Sequence, residues 1–252
     1  VGGWFAGYVL AGKAVVDALI DLAVQFINPI TTLSLASPSV ANVERGTTIS
    51  TINVTRTRSL GSATFFSGLY TQPNAADVTD IAGGSTSRTF TGLNINGNNT
   101  TNIVGGIPVH VLTLTTTYKR LPGDSVIDPS LTETKPLNIS FISPIYFGVL
   151  SLANSATPAS IQALGKASLA NNRARSGLVF TPTPTEGRLI YAYPSRFGTL
   201  TSITDSFGNP LLSAFDNSVI PNFIFDNSPN ENYRVYVYNT DVSPGSVTFN
   251  FS

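Results

Sequence analysis

The chain of 252 residues has no cysteine, no methionine, one histidine, one tryptophan and few charges. Without cysteine there is no disulfide framework, no thiolate metal site and no cysteine nucleophile. Without methionine, Val1 is not an initiator, and the chain reads as a processed or trimmed piece of something longer. Charged residues make up 11% of the chain, against roughly 25% in an average soluble protein. The 14 basic and 14 acidic residues cancel, so the surface draws its polarity from Thr, Ser and Asn. Such a surface neither steers phosphate polymers nor gains from counterion release, which argues against a nucleic-acid partner. It also lets many copies pack closely. Val1 to Leu10 is apolar but Gly-rich, with no basic leader and no small-residue cleavage site, so no secretory signal is read. The longest apolar region is interrupted by Lys13, Asp17 and Asp21, short of the roughly 18 residues a membrane span requires.

What is there reads as mainly β: an N-terminal helix, an Ig-like antiparallel β-sandwich, and a second, smaller β-rich domain with one short helix. The expected domains are 1–30, 31–150 and 151–252. Over 13–27 the residues Asp17, Asp21 and Gln25 form one polar stripe on an otherwise apolar helix, whose apolar surface is wider than one domain face needs. That helix is assigned to oligomerisation or attachment, with Trp4, Leu19, Leu22 and Phe26 as its subunit interface. Pro29 ends it. From Thr31 to about Leu150, period-two alternation at Ile52/Val54, Leu112/Leu114 and Leu137/Ile139/Phe141 marks strands, with Gly83-Gly84, Asn96-Gly97 and Gly105-Gly106 between them. Between Ser151 and Arg175, Thr157 and Pro158 start a second helix with Ile161, Leu164 and Leu169 on its apolar face. Strands resume over Leu178–Phe180, Arg188–Tyr193, Tyr233–Tyr238 and Val247–Phe251.

Residues able to carry chemistry are sparse. His110 lies on a predicted strand with no Asp or Glu within ten residues, and acid–base or metal sites usually join the two. Asp205, Asp216, Asp226 and Asp241 read as turn residues. Ser195 lacks the glycine spacing of a nucleophile elbow, and the Gly-rich segments lack the context of a phosphate loop. No catalytic, cofactor or metal residue is assigned, and the chain is not expected to be an enzyme. Tyr191 and Tyr193 share one strand face, as do Tyr236 and Tyr238. Either pair serves as a glycan-facing platform or as cross-strand packing.

Three pieces, in order, carry a family resemblance. Gly3-Trp-Phe-Ala-Gly7 leads into the helix; the segment 37–50 and the closing Ile139–Gly148 frame the sandwich; and Tyr191-Ala-Tyr-Pro194, Phe197-Gly198, Thr201-Ser-Ile203, Asp205, Gly208 and Tyr233-Arg-Val-Tyr236 lie in the last domain. Together they resemble structural proteins of tailed-bacteriophage virions of tail, baseplate or neck fibre type. The resemblance implies a virion location and a mechanical role as a homo-oligomer, trimer favoured, among other virion proteins. The alternatives are a receptor- or carbohydrate-binding module that takes host-surface glycan, and a capsid or neck decoration protein.

Overall fold

Alternating apolar and polar residues become strands wherever the sequence predicts them, and the chain is mainly β with several antiparallel sheets. The computed structural model describes residues 27–38, 41–73, 75–100, 102–119, 131–151, 155–169, 171–182, 187–226, 228–240 and 245–252. The helix expected over 13–27 lies outside them except for its last residue, Ile27, and so do Trp4, Leu19, Leu22, Phe26 and Asp241. No helix among the described residues is long and apolar enough to cross a membrane.

The chain divides into two compact units. Of the described residues, the first takes those up to Ser37 together with Ile52–Phe90 and Val111–Leu137; the second takes Pro38–Thr51, Thr91–His110 and Asn138–Ser252. The expected boundary at 150/151 therefore falls inside a strand, β10 (Tyr146–Ser151), which pairs with β13 (Gly187–Pro194) in the second unit. Two earlier excursions, 38–51 and 91–110, also belong to that unit.

In the first unit, β1 (Ile30–Ser37), β3 (Ile52–Ser59) and β6 (Ser85–Phe90) form one antiparallel sheet with β3 in the middle. The register places Thr32, Thr57 and Ser85 in one row and Ser34, Thr55 and Ser87 in the next. This is the uncharged hydroxyl surface that the low charge content requires. On the other face, Ile52 and Val54 are buried and are followed in the same register by Arg56 and Arg58. A second sheet pairs β4 (Thr64–Thr71) with β5 (Val78–Thr79) and with the later part of β8 (Ile107–Lys119), which neighbours β9 (Thr132–Ile142).

In the second unit, a five-stranded sheet has the order β11 (Gly165–Lys166), β10, β13, β16 (Ser228–Tyr238), β15 (Phe215–Phe225). A three-stranded sheet has β17 (Val247–Phe251) between β12 (Arg175–Phe180) and β14 (Ile203–Asp205). Strand β13 is apolar on both sides, and both sides are covered. Leu189, Tyr191 and Tyr193 join Phe180, Ile203, Phe249 and Phe251 of the smaller sheet in one core, while Ile190 and Ala192 join Tyr146, Ile161, Phe223 and Tyr233 in another. The short helix predicted from Thr157 is present as Pro158–Gln162, with Thr157 and Ser160 capping each other reciprocally. It is shorter than the apolar pattern suggested. Gly165 leaves it and pairs with Phe147 instead.

The excursions form short elements of their own. β2 (Asn42–Glu44) runs parallel to Ser140–Ile142 of β9, and β7 (Asn102–Val104) forms a hairpin with the start of β8.

Candidate functional site

Strand β13 and its neighbours correct the reading of the tyrosines as a glycan platform. Tyr191, Tyr193 and Tyr236 are fully buried, and Tyr238 packs against the same core. Tyr191 stands opposite Tyr236 across the strands and stacks on Phe251, with ring centroids 3.9 Å apart. Tyr193 stacks on Tyr236 at 6.0 Å. Each hydroxyl meets a backbone group: Tyr191 donates to the Arg173 carbonyl at 2.5 Å, Tyr193 donates to the Gly198 carbonyl at 2.8 Å, and Tyr236 accepts from Leu200 N–H at 2.9 Å. Burial raises the pKa of Tyr191 and of Tyr193 above the ordinary phenol value. The physical reason for the correction is that Ile190 and Ala192 between them are apolar too, so the strand has no solvent face.

What the structure brings together instead are arginines and carboxylates. In the first unit Asp80 lies between two guanidiniums, with Arg56 Nε at 3.2 Å and Arg58 Nη2 at 2.5 Å from the same Oδ2. The arginine side chains are 0% exposed and that of Asp80 is 2% exposed. Arg56 also donates to the Gly83 carbonyl at 2.5 Å, to the Ile81 carbonyl at 3.1 Å and to Thr86 Oγ1 at 2.6 Å, and Arg58 donates to the Ile81 carbonyl at 3.2 Å. The Arg58 guanidinium covers the Phe65 ring at 4.2 Å, an arrangement that gains from desolvation. Gly68 is what admits Asp80: a β-carbon there would stand 2.8 Å from that of Asp80.

In the second unit Glu231 is likewise held by two arginines. Arg45 Nη1 lies 3.2 Å from its Oε2, Arg196 pairs with its Oε1, and the Ser143 hydroxyl donates to it. Burial lowers the pKa of Arg45; burial first, and then the neighbouring Arg45, bring Arg196 down to about 10. In both clusters two cations share one carboxylate in a dry setting. Such groups contribute mainly by fixing one arrangement, because desolvation offsets much of the Coulomb gain.

His110 is fully buried, and burial pushes its pKa down to about 4. Among the described residues no group of three or more His, Asp or Glu side chains is close enough to hold a metal ion. Ser195 opens the turn Ser195–Phe197, and Asp205 closes a turn by accepting from the N–H groups of Phe207 and Asn209, both at 2.9 Å. Asp216, read as a turn residue, lies in β15 instead.

Sequence reasoning missed both arginine clusters. For Arg56 and Arg58 a signal existed, since they continue the Ile52, Val54 register onto the buried face. Glu231 and Arg45 carry no local signal, being brought together only by the fold. No protein-family model matches the chain, and no curated protein matches it in sequence.

Proposed function

We propose that the chain is a non-enzymatic structural component of a bacteriophage virion, a tail- or baseplate-associated fibre protein that works as a homo-oligomer, trimer favoured, among other virion proteins. The observation that carries this reading is the use of the aromatic residues: Tyr191, Tyr193 and Tyr236 of the terminal domain lie inside stacked sheets with their hydroxyls engaged. A β-sandwich with a strand covered on both faces suits a load-bearing part. The outward hydroxyl rows of the β1–β3–β6 sheet give copies a surface without charge repulsion. The order of the motifs read from the sequence supplies the phage assignment.

Light scattering after size exclusion tests the assembly. The intact chain is expected to form a stable trimer or higher ring across a wide concentration range, and Leu19→Asp with Phe26→Asp is expected to reduce it to monomer without changing the β spectrum. Intact oligomers in a folded double variant would remove the helix as the subunit contact. A concentration-independent monomer in both proteins would favour a decoration protein.

One observation favours the glycan-binding alternative. Phe207 is 89% exposed at the tip of the turn closed by Asp205, and an apolar ring held in that way can stack on a sugar. Glycan-array binding lost in Phe207→Ala, and kept in Tyr238→Ala, would move the reading there.

A further inference from the structure

The two excursions of the second unit are tied to one another by main-chain bonds. Ile49 N–H donates to the Ile95 carbonyl at 2.8 Å, Ile95 N–H donates back at 3.1 Å, and Leu93 N–H donates to the Ser50 carbonyl at 3.0 Å. Ile49 and Ile95 are buried, yet neither belongs to the two apolar cores built around β13. Their attachment to the C-terminal part of the unit includes the parallel pairing of β2 with Ser140–Ile142 and a buried polar group. Arg45 is the centre of that group: Nη1 donates to the Pro229 carbonyl at 3.2 Å and pairs with Glu231, while Nη2 donates to the Gly106 carbonyl in the turn of the β7–β8 hairpin at 3.1 Å. Arg196 closes the other side of Glu231. Next to this group Gly46 N–H donates to Ser228 Oγ at 3.2 Å, and Gly97 is packed so closely on Ser228 that a β-carbon would collide with its hydroxyl. The hairpin held in this way ends in two exposed apolar residues, Ile103 and Val104, 67% and 65% exposed.

We propose that Arg45, Glu231 and Arg196 form a latch that fixes the 42–49 segment and the β7–β8 hairpin onto the C-terminal sheets, and that these excursions open together, as a unit separate from the β13 cores, when the carboxylate is lost. The charge count makes the latch all-or-none. With Glu231 in place two buried guanidiniums share one compensating charge; without it both are left uncompensated in a site that excludes water, the most costly arrangement available to them. The excursions leave the site, because only there can water reach Arg45 again. The β13 cores are apolar and aromatic and keep their own contacts. The inference does not depend on the virion reading.

Hydrogen exchange followed by mass spectrometry on the full chain tests it, comparing the unaltered protein with Glu231→Gln. Amides over 93–104 are expected to exchange on the order of a hundredfold faster in the variant, with those of β13 and β17 unchanged. Lys166→Ala, which removes the exposed pair between Lys166 and Glu44 on the same excursion, is expected to leave all of them unchanged. Equal acceleration over 93–104, β13 and β17, or none at 93–104, would overturn the proposal. Should Glu231→Gln fail to fold, exchange of the unaltered protein in low urea decides: opening of 93–104 below the global transition supports the latch, and opening only together with β13 overturns it.

Discussion

Asp80 shows how much a single side chain can carry in a protein with so few charges. Removing it by Asp80→Ala leaves Arg56 and Arg58 buried and unbalanced, and about 3–5 kcal/mol of stability is expected to be lost. Asp80→Asn keeps the shape and should lose most of the same amount, so urea midpoints of the two variants separate charge from packing. His110 gives a pH dependence whose sign is set by burial. Its folded-state pKa near 4 lies below the value of about 6.5 expected for the unfolded chain. Between those two values only the unfolded chain gains a proton. Its contribution is therefore present in full above pH 6.5 and declines as pH falls toward 4, by no more than about 3 kcal/mol. Urea unfolding at pH 7 and pH 4.5 should show a smaller loss for His110→Phe than for the unaltered protein. At this scale the sequence was partly legible. The burial of Tyr191 was foreshadowed by its apolar neighbours Ile190 and Ala192, and that of Arg56 by Val54 two residues before it. Nothing near Arg45 in the sequence points to Glu231.

Elements were the most readable level, because a strand declares itself by a period of two within a few residues. β3, β8, β9, β13, β16 and β17 all lie where alternation places them. The short helix was placed at its start and overextended at its end, since a cap is local chemistry whereas the pairing of Gly165 with Phe147 is not. Thr157→Ala removes the cap, in which Ser160 N–H donates to Thr157 Oγ1 at 3.3 Å, and is expected to cost about 0.5–2 kcal/mol in thermal unfolding. The same helix covers a sheet edge: Gln162 donates to the Ile224 carbonyl of the outer strand β15 at 2.9 Å. That strand is interrupted further by Pro221, which has no N–H, and by Asn222 with φ of 59°. Both features discourage strand addition. Pro221→Ile is accordingly expected to raise concentration-dependent light scattering at an unchanged fold.

For the whole molecule, balanced charge places the isoelectric point near 6.8, and association of copies is expected to be strongest close to that pH and to respond little to salt. A shift of the sedimentation profile toward monomer at pH 9 in low salt checks this. The division into units was not legible, because a boundary crossed five times by the chain leaves no single change of composition to find.

The chain passes between the units after Ser37, Thr51, Phe90, His110 and Leu137, five times in all. During synthesis this sets a timetable. Arg45 emerges from the ribosome 184 residues ahead of Pro229, which at 5–20 residues per second is a wait of roughly ten to forty seconds. Throughout that interval its guanidinium has neither Glu231 nor the C-terminal sheets to meet. The second unit is thus obliged to finish last, and a nascent chain interrupted before β16 holds two excursions whose buried arginine has not yet met Pro229 or Glu231.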